Sequence, residues 1–315
     1  MGRVPSRFSR ALDKPEYLFR PGQIARRALF ASSRERGAVI TVPLAYGGRI
    51  RVRPTDAIGA SIARSGIYEL ALSEALVRLA DPGDLVVDAG ANIGYMTALA
   101  ARRVGITGRV IAIEPHPAIH AELQANLDLF QESGGIGSVE TLNVAVSDTT
   151  GHKDLHITSE FEVNRGSASL QPGGTASLTR LPVCVETLDR VVRSGGSVGV
   201  LKMDVEGHEP SALRGAEGLL SRHQIRDVLF EEHDPPPTAS TEYLRQRGYA
   251  VFRLDRRLLG PTLSPVEGGI RVSRGDPPAF LATSCPDRAL ARIRRRGWAV
   301  LSRGSLARDP KWGRA

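Results

Sequence analysis

The stretch that most constrains this chain is Leu85-Val86-Val87-Asp88-Ala89-Gly90-Ala91-Asn92-Ile93-Gly94-Tyr95-Met96-Thr97. An apolar run ends in an acid, passes through a turn of small residues and enters a helix. This is the order expected where a buried parallel strand delivers the chain to a ligand. Gly90 and Gly94 permit close backbone approach or positive φ, and the N–H groups opening the helix are expected to face a polar ligand. The stretch therefore reads as one step of an α/β fold with a cofactor at its turn.

The rest of the chain supports that architecture. Strand Leu85–Asp88 leads to a helix over Ile93–Arg103, strand Arg109–Glu114 to a helix over Pro117–Leu129, and a strand follows over Val139–Val146. After a detour rich in Ser, Thr and Gly at 147–185, read as a loop or hairpin insertion, the alternation resumes. It gives helix Glu186–Val192, strand Val198–Asp204, helix Ser211–Ser221, strand Asp227–Glu231, helix Thr241–Arg247, strand Tyr249–Leu254, a Gly/Pro-rich loop at 260–278 and a last strand near Ala279–Ala282. Such steps imply right-handed crossovers and a Rossmann-like, mostly parallel sheet with helices on both faces. Ahead of it, prolines cut residues 1–36 into an arm and a helix over Ile24–Phe30. Gly47-Gly48 joins two β-rich runs in a hairpin, and residues 66–80 carry a helical apolar period. The expected division is 1–65 as an arm, helix and hairpin extension, 66–284 as the main domain, and 285–315 as a basic C-terminal tail.

Charge and cysteine content narrow the class. The net charge of +8 lies in the ends: residues 1–36 carry nine Lys/Arg against three acids and residues 286–315 nine against two, leaving the middle net acidic. The ends are expected to be solvated arms, with peripheral contact to anionic surfaces as the alternative; no specific nucleic-acid partner is expected. No apolar run reaches the roughly 18 residues that span a membrane. The first residues have no secretory core, and Asp13 and Glu16 argue against an organellar presequence. Cys184 and Cys285 are too few for a disulfide framework or a cysteine-based zinc site, so a reducing, cytoplasmic location is expected.

Two concentrations of residues carry chemistry. A dinucleotide fingerprint starting at Gly90 would need glycines where this chain has Asn92 and Tyr95. What remains is Asp88-x-Gly90-x-Asn92-x-Gly94, with a carboxylate suited to a cation or hydroxyls and unsuited to a pyrophosphate, a combination that fits S-adenosylmethionine. Glu114, ending the next strand about twenty residues on, sits where an acid grips ribose hydroxyls, or else caps the helix after Pro115. Asp148 is placed to accept from an adenine amino group, or is a solvated turn acid, and Asn143 to line the methionine part. The second concentration is Lys202-Met203-Asp204-Val205-Glu206-Gly207-His208-Glu209, joined by Glu231-Glu232-His233 at the end of the following strand. Asp204, Glu206 and Glu232 are expected to shape an acceptor site, with His208 or His233 taking a proton. These carboxylates and imidazoles have the chemistry to hold a divalent ion, but no HExxH or cysteine pattern supports one, and no metal site is assigned.

Asp88-Ala89-Gly90-Ala91-Asn92-Ile93-Gly94, Glu114-Pro115, Asn143 to Asp148, the Lys202 to Glu209 block and Glu232-His233 together resemble the FkbM family of S-adenosylmethionine-dependent methyltransferases. The resemblance runs from about Gly66 to Ala282, and its most specific part is the Lys-x-Asp-x-Glu-Gly-x-Glu block. It implies a seven-strand methyltransferase fold, S-adenosylmethionine as methyl donor, and O-methylation of a hydroxyl on a sugar, glycolipid or polyketide-type small molecule. On the cofactor side it implies Ala91, Tyr95, Pro115, Ala145 and Asp204 beside the residues above. Tyr68-Glu69 sits where the family places a Tyr-Glu element, implying Glu69 near the methionine end. Asn164 to Ser169 resembles a family loop beside cofactor and substrate. The competing readings are an RNA methyltransferase gripping phosphates with its basic ends and a binding module without turnover.

Overall fold

The computed structural model describes residues 38–301 apart from 133, 159–160, 162, 172–176, 193–195, 233, 235 and 267–277, together with residues 15 and 19. The helix expected over Ile24–Phe30 lies outside the described residues.

A two-stranded hairpin, β1 (Ile40–Pro43) and β2 (Arg49–Val52), opens the described chain, turning through Gly47-Gly48 as expected. Helix α1 (Ala57–Ser65) is capped by Asp56, whose carboxylate accepts from the Gly59 N–H, and α2 (Leu70–Leu79) follows. The alternating body is then β3 (Leu85–Ala89), α3 (Tyr95–Val104), β4 (Arg109–Ile113), α4 (Pro117–Gln131) and β5 (Ser138–Leu142). The strand expected over Val139–Val146 is two: β5 stops at Leu142, and β6 (Ala145–Val146) turns away. There it joins β7 (Gly151–Thr158) and β8 (Ser177–Glu186) in a separate three-stranded sheet, so the insertion is a hairpin on a third strand.

After α5 (Leu188–Val191) comes β9 (Val198–Met203), buried throughout. The helix expected over Ser211–Ser221 is broken into α6 (Glu209–Arg214) and α7 (Glu217–Ser221) at Gly215, where a Cβ would lie 1.9 Å from the Ser147 carbonyl oxygen. The chain continues through β10 (Ile225–Glu231), α8 (Ala239–Gln246), β11 (Ala250–Arg257), β12 (Gly260–Pro265) and β13 (Ala279–Thr283). It closes with α9 (Pro286–Ile293) and a 3₁₀ turn at Ala299–Leu301.

The main sheet runs β12-β11-β13-β10-β9-β3-β4-β5, with five consecutive parallel strands from β10 to β5 and β13 antiparallel to both its neighbours. The expected seven strands are thus eight. Leu258-Leu259 turns the chain back, and β12 pairs along β11 from Gly260 to Pro265, where a loop was expected. Chain order reverses between β3 and β9, since β4 and β5 build outward on one side and β9 and β10 on the other. Ligands bind in the crevice at the carboxyl ends of such a pair.

Apolar side chains fill both faces. On one, α2, α3 and α4 pack with the hairpin and α1; on the other, α5 to α8. Residues 286–301, expected within the basic tail, are folded. Ala289, Ile293 and Trp298 to Leu301 belong to the same core as the hairpin's Val42 and Ile50. Part of the basic charge of this segment is spent internally: Arg288 and Arg292 pair with Asp81, and Arg288 also reaches Asp227, while Arg294 and Arg296 are exposed. Among the described residues, no helix is long and apolar enough to cross a membrane.

Candidate active site

The carboxyl ends of β3, β4, β9 and β10 open onto one cavity of about 630 Å³, a volume in the range of small-molecule sites. At its floor β3 passes β9 so closely that a Cβ on Gly90 would lie 1.8 Å from the Asp204 carbonyl oxygen; Gly90 also has φ +77°. No other residue fits.

The turn differs from expectation in one respect. Its N–H groups do not point at a ligand: Gly90 and Ala91 donate to the Ile113 carbonyl (3.0 and 2.9 Å), Asn92 to Glu114 Oε2 (3.0 Å), Ile93 to Asn92 Oδ1 (2.8 Å) and Gly94 to the Ala91 carbonyl (2.9 Å). The turn from Gly90 to Gly94 is thus knitted to β4 and to itself, and any N–H groups left to face a ligand are those opening α3 at Tyr95 and Met96. Gly90, Ala91, Asn92 and Tyr95 line the cavity; Gly94 does not, and packs its backbone against Leu123.

Asp88 also departs from its expected place. It is fully buried beneath the turn, accepting from Thr97 Oγ1 at 2.6 Å, with Lys202 Nζ 3.4 Å from its other oxygen. The acid expected to face the donor instead anchors the strand end. Lys202 reaches across to the Gly90 carbonyl (2.8 Å) and lies 3.6 Å from Asp204. Burial works against its charge, but Asp88 and Asp204 hold its ammonium above the ordinary lysine range.

Glu114 is where the strand reading placed it. It lines the cavity, 6% exposed, its two oxygens each accepting one backbone N–H, from Asn92 and His116 (2.9 Å). Burial nevertheless pushes its carboxyl up to about 7. Pro115 and Ala145 line the cavity beside it. Asn143 does not: exposed at the sheet edge, its amide donates to the Glu114 and Pro115 carbonyls (2.8 and 2.9 Å) and shapes the loop from behind. Asp148 is also outside the lining, held low by hydrogen bonds from Arg214 and Ser147 and by Lys153.

On the far side, Asp204, Glu206 and His208 line the cavity as expected. Burial, then Asp204 and Glu209, push Glu206 up to about 7. Burial drives His208 down to about 4, so its ring is neutral at physiological pH. Its Nε2 is 3.0 Å from Ser147 Oγ. Ser147 donates to Asp148 (3.1 Å) and accepts from Lys153 (2.7 Å), so the histidine bond is made by an Nε2–H, and the Nδ1 lone pair accepts from the Gln171 side-chain amide at 3.4 Å.

Glu232 is not in the cavity, and His233 lies outside the described residues. Glu232 accepts from Thr238 Oγ1 (3.1 Å), the cap of α8. The reason is strand alternation. Lys202 and Leu229 are register partners across β9 and β10, so two residues on, Asp204 and Glu231 share a face and Glu232 takes the opposite one. Glu231 is the acid that reaches the cavity, where one oxygen each of Glu69, Asp204 and Glu231 lie within 4.8 Å of one another. Burial, Glu69 and Asp204 hold Glu231 far above the usual carboxylate range.

Among the described residues, four other than glycine have positive φ, and three of these, Glu69, Asn92 and Glu206, line this cavity. Backbone strain of order 1–3 kcal/mol per residue persists where function holds it. The opposite wall comes from α1 and the insertion. Asn164, Arg165 and Gly166 line it with Asp56 and Arg64, and Arg165 is fixed by Glu122 (2.8 Å), which also takes Arg53 (2.9 Å). Phe161, stacked on His116 at 4.8 Å, anchors the same loop. Asp56 and Arg64 lie in the extension ahead of the expected domain and carry no motif; only the helix-cap signal at Asp56 was legible.

S-adenosylmethionine is a cation with a ribose diol and an adenine, and the lining suits it. Glu114 retains lone pairs for hydroxyls, the Gly90 backbone lines the floor where it meets β9, and an acidic wall faces any positive charge. An open sheet reversing between β3 and β9, with an acid ending β4 and an acidic crevice beside it, fits the class of S-adenosylmethionine-dependent methyltransferases.

Residues 88–251 match the family described as the methyltransferase FkbM domain, and the chain belongs to that family. Among curated relatives, 31-O-demethyl-FK506 methyltransferase FkbM of Streptomyces tacrolimicus is 32% identical over 181 residues, covering 49% of this chain and 66% of that protein. The chain thus spans just under two thirds of that relative's length. Hexuronic acid methyltransferase AglP of Haloferax volcanii is 25% identical, over 63% of this chain and 75% of the relative. Among solved structures, a methyltransferase FkbM of Methylobacillus flagellatus is 18% identical, covering 71% of this chain and 60% of that one, with a TM-score of 0.39.

Proposed function

We propose that the protein transfers the methyl group of S-adenosylmethionine to a hydroxyl of a sugar, glycolipid or polyketide-type small molecule. The observation that carries this reading is the division of one cavity into two halves. Glu114 and the Gly90 turn form one, Asp204, Glu206 and His208 the other, and Lys202 ties them together. Two curated relatives carry the names 31-O-demethyl-FK506 methyltransferase and hexuronic acid methyltransferase, which supports a hydroxyl acceptor. The acidic lining disfavours a nucleic-acid backbone.

When bound, the donor supplies a methyl group already activated on sulfur. Glu114 holds the ribose hydroxyls, and Gly90 to Asn92 set the donor's depth. Asp204 and Glu206 accept hydrogen bonds from the acceptor's hydroxyls and orient the reacting oxygen. Alignment of this kind is worth up to about 7–11 kcal/mol. His208, whose Nδ1 must first release the Gln171 amide, takes the acceptor's proton, and its low basicity sets that contribution near the lower end, about 10²-fold. In this assignment Asn143 and Asp148 stay outside the donor pocket, and Asp88 acts through Lys202 and Thr97. The test is calorimetry with S-adenosylmethionine, followed by mass spectrometry of candidate hydroxyl acceptors for the increment of one CH₂. Wild type should bind the donor and methylate at least one acceptor class, and Asp204→Asn should bind the donor but turn over slowly. A wild-type chain that binds no donor ends the proposal.

A further inference from the structure

We propose that Glu69, Asp204 and Glu231 form a binding site for one hard divalent cation on the acceptor side of the cavity, an inference that rests on the methyltransferase reading above. The geometry admits a single coordination sphere. One carboxylate oxygen from each residue lies within 4.8 Å of the other two, and oxygens around a cation at roughly 2.1–2.5 Å are separated by no more than about twice that distance. The three residues come from three separate elements. Glu69 precedes α2 with φ 43°, Asp204 ends β9 and Glu231 ends β10, and the register of β9 on β10 puts the last two on one face. An all-oxygen donor set selects Mg²⁺, Mn²⁺ or Ca²⁺ over softer metals.

A second observation points the same way. Glu231 is 6% exposed, lines the cavity, and has a buried carboxylate oxygen with no hydrogen-bond partner among the described residues. A buried acceptor left so is costly, and native structures keep few of them without a ligand. Lys202 does not answer the need. Its ammonium is taken up by the Gly90 carbonyl, Asp88 and Asp204, and its contacts within 4 Å do not include Glu231. A cation held here would carry open positions toward the cavity, and an acceptor hydroxyl bound to it would give up its proton more readily.

The full chain, stripped with chelator and dialysed, is titrated with Mn²⁺ without donor or acceptor, and unbound Mn²⁺ is read by electron paramagnetic resonance. Wild type should bind one Mn²⁺, Glu231→Gln and Asp204→Asn should each weaken it by roughly 100-fold or more, and Glu232→Gln, one residue away on the opposite strand face, should leave it unchanged. Wild type alone decides if a variant fails to fold: no stoichiometric binding into the millimolar range overturns the site. Binding that survives both Glu231→Gln and Asp204→Asn overturns it as well. Donor calorimetry on the same metal-stripped protein separates the two readings. Retained donor binding without Mn²⁺ binding removes the cation site alone, and loss of both removes the methyltransferase reading with it.

Discussion

Helix α2 has a buried ionic group at each end, and the two are built on opposite terms. Toward its carboxyl end, Glu74 and Arg78 are both fully buried and 2.8 Å apart. Glu74 also accepts the N–H groups of Ala299 and Val300 (both 3.0 Å), and Arg78 donates to the Ile293 and Gly297 carbonyls (2.7 and 2.6 Å). Charge and hydrogen bonds close on themselves, and the pair clasps the C-terminal segment to the domain. At the amino end, Glu69 meets Asp204 and Glu231, acid against acid, with Lys202 the cation beside them. A fold arranges the first kind for cohesion. The second kind costs stability, and persists where a ligand completes it.

The largest expected effect tests the clasp. Arg78→Met leaves Glu74 charged and buried without its cation, and should lower unfolding free energy by about 3–5 kcal/mol in denaturant titration. If the loss is under ~1 kcal/mol, the clasp is not what holds residues 286–301. Next is Gly90→Ala, whose new methyl group overlaps the Asp204 carbonyl. It should cost about 2–3 kcal/mol and abolish donor binding in calorimetry, because the strand ends must separate. Glu231→Gln should do the reverse of Arg78→Met, raising stability by about 1–2 kcal/mol because folding no longer has to protonate a carboxyl that burial, Glu69 and Asp204 hold neutral, while methyl transfer is lost.

A smaller effect concerns pH. Glu114 titrates at about 7 in the folded chain because it is buried. In the proposed donor site its carboxylate accepts from the ribose hydroxyls with both oxygens and most strongly when deprotonated. Donor affinity should therefore fall as pH drops through 7, reaching about one tenth of its high-pH value one pH unit below, and Glu114→Gln should bind weakly with a flat profile between pH 6 and 8. Smallest of all, Glu232→Gln should change stability by less than ~1 kcal/mol and leave turnover near wild type, since Glu232 serves only the cap of α8.

How much of this was legible in the chain depends on where each residue sits. The strand-turn-helix at Leu85–Thr97, the acid ending β4 and the Asp204–His208 block could be read because apolar runs end abruptly in polar residues there. Glu231 against Glu232 could not. The run Val228-Leu229-Phe230 is apolar on both faces of a central strand, so no alternation shows which of two adjacent acids turns inward. Asp88 misled for a related reason: an acid at a strand end reads as ligand-facing, and only the register with Lys202 shows that it is spent beneath the turn. The extra strand β12 and the folded C-terminal segment were missed because their contacts are long-range. Trp298 joins the core through the Leu258 carbonyl, to which its indole donates at 3.0 Å, and through the clasp on α2.

The Lys202 ammonium has a mechanical consequence. By gripping the Gly90 carbonyl, Asp88 and Asp204 at once, it rivets the donor half of the floor to the acceptor half. In the proposed reaction this single stiff platform at the end of the sheet would line up both substrates. Whatever gives way to let a donor in or a methylated product out must belong to the roof, where α1 and residues 163–166 are stitched together by the Ala57 N–H to Val163 carbonyl bond.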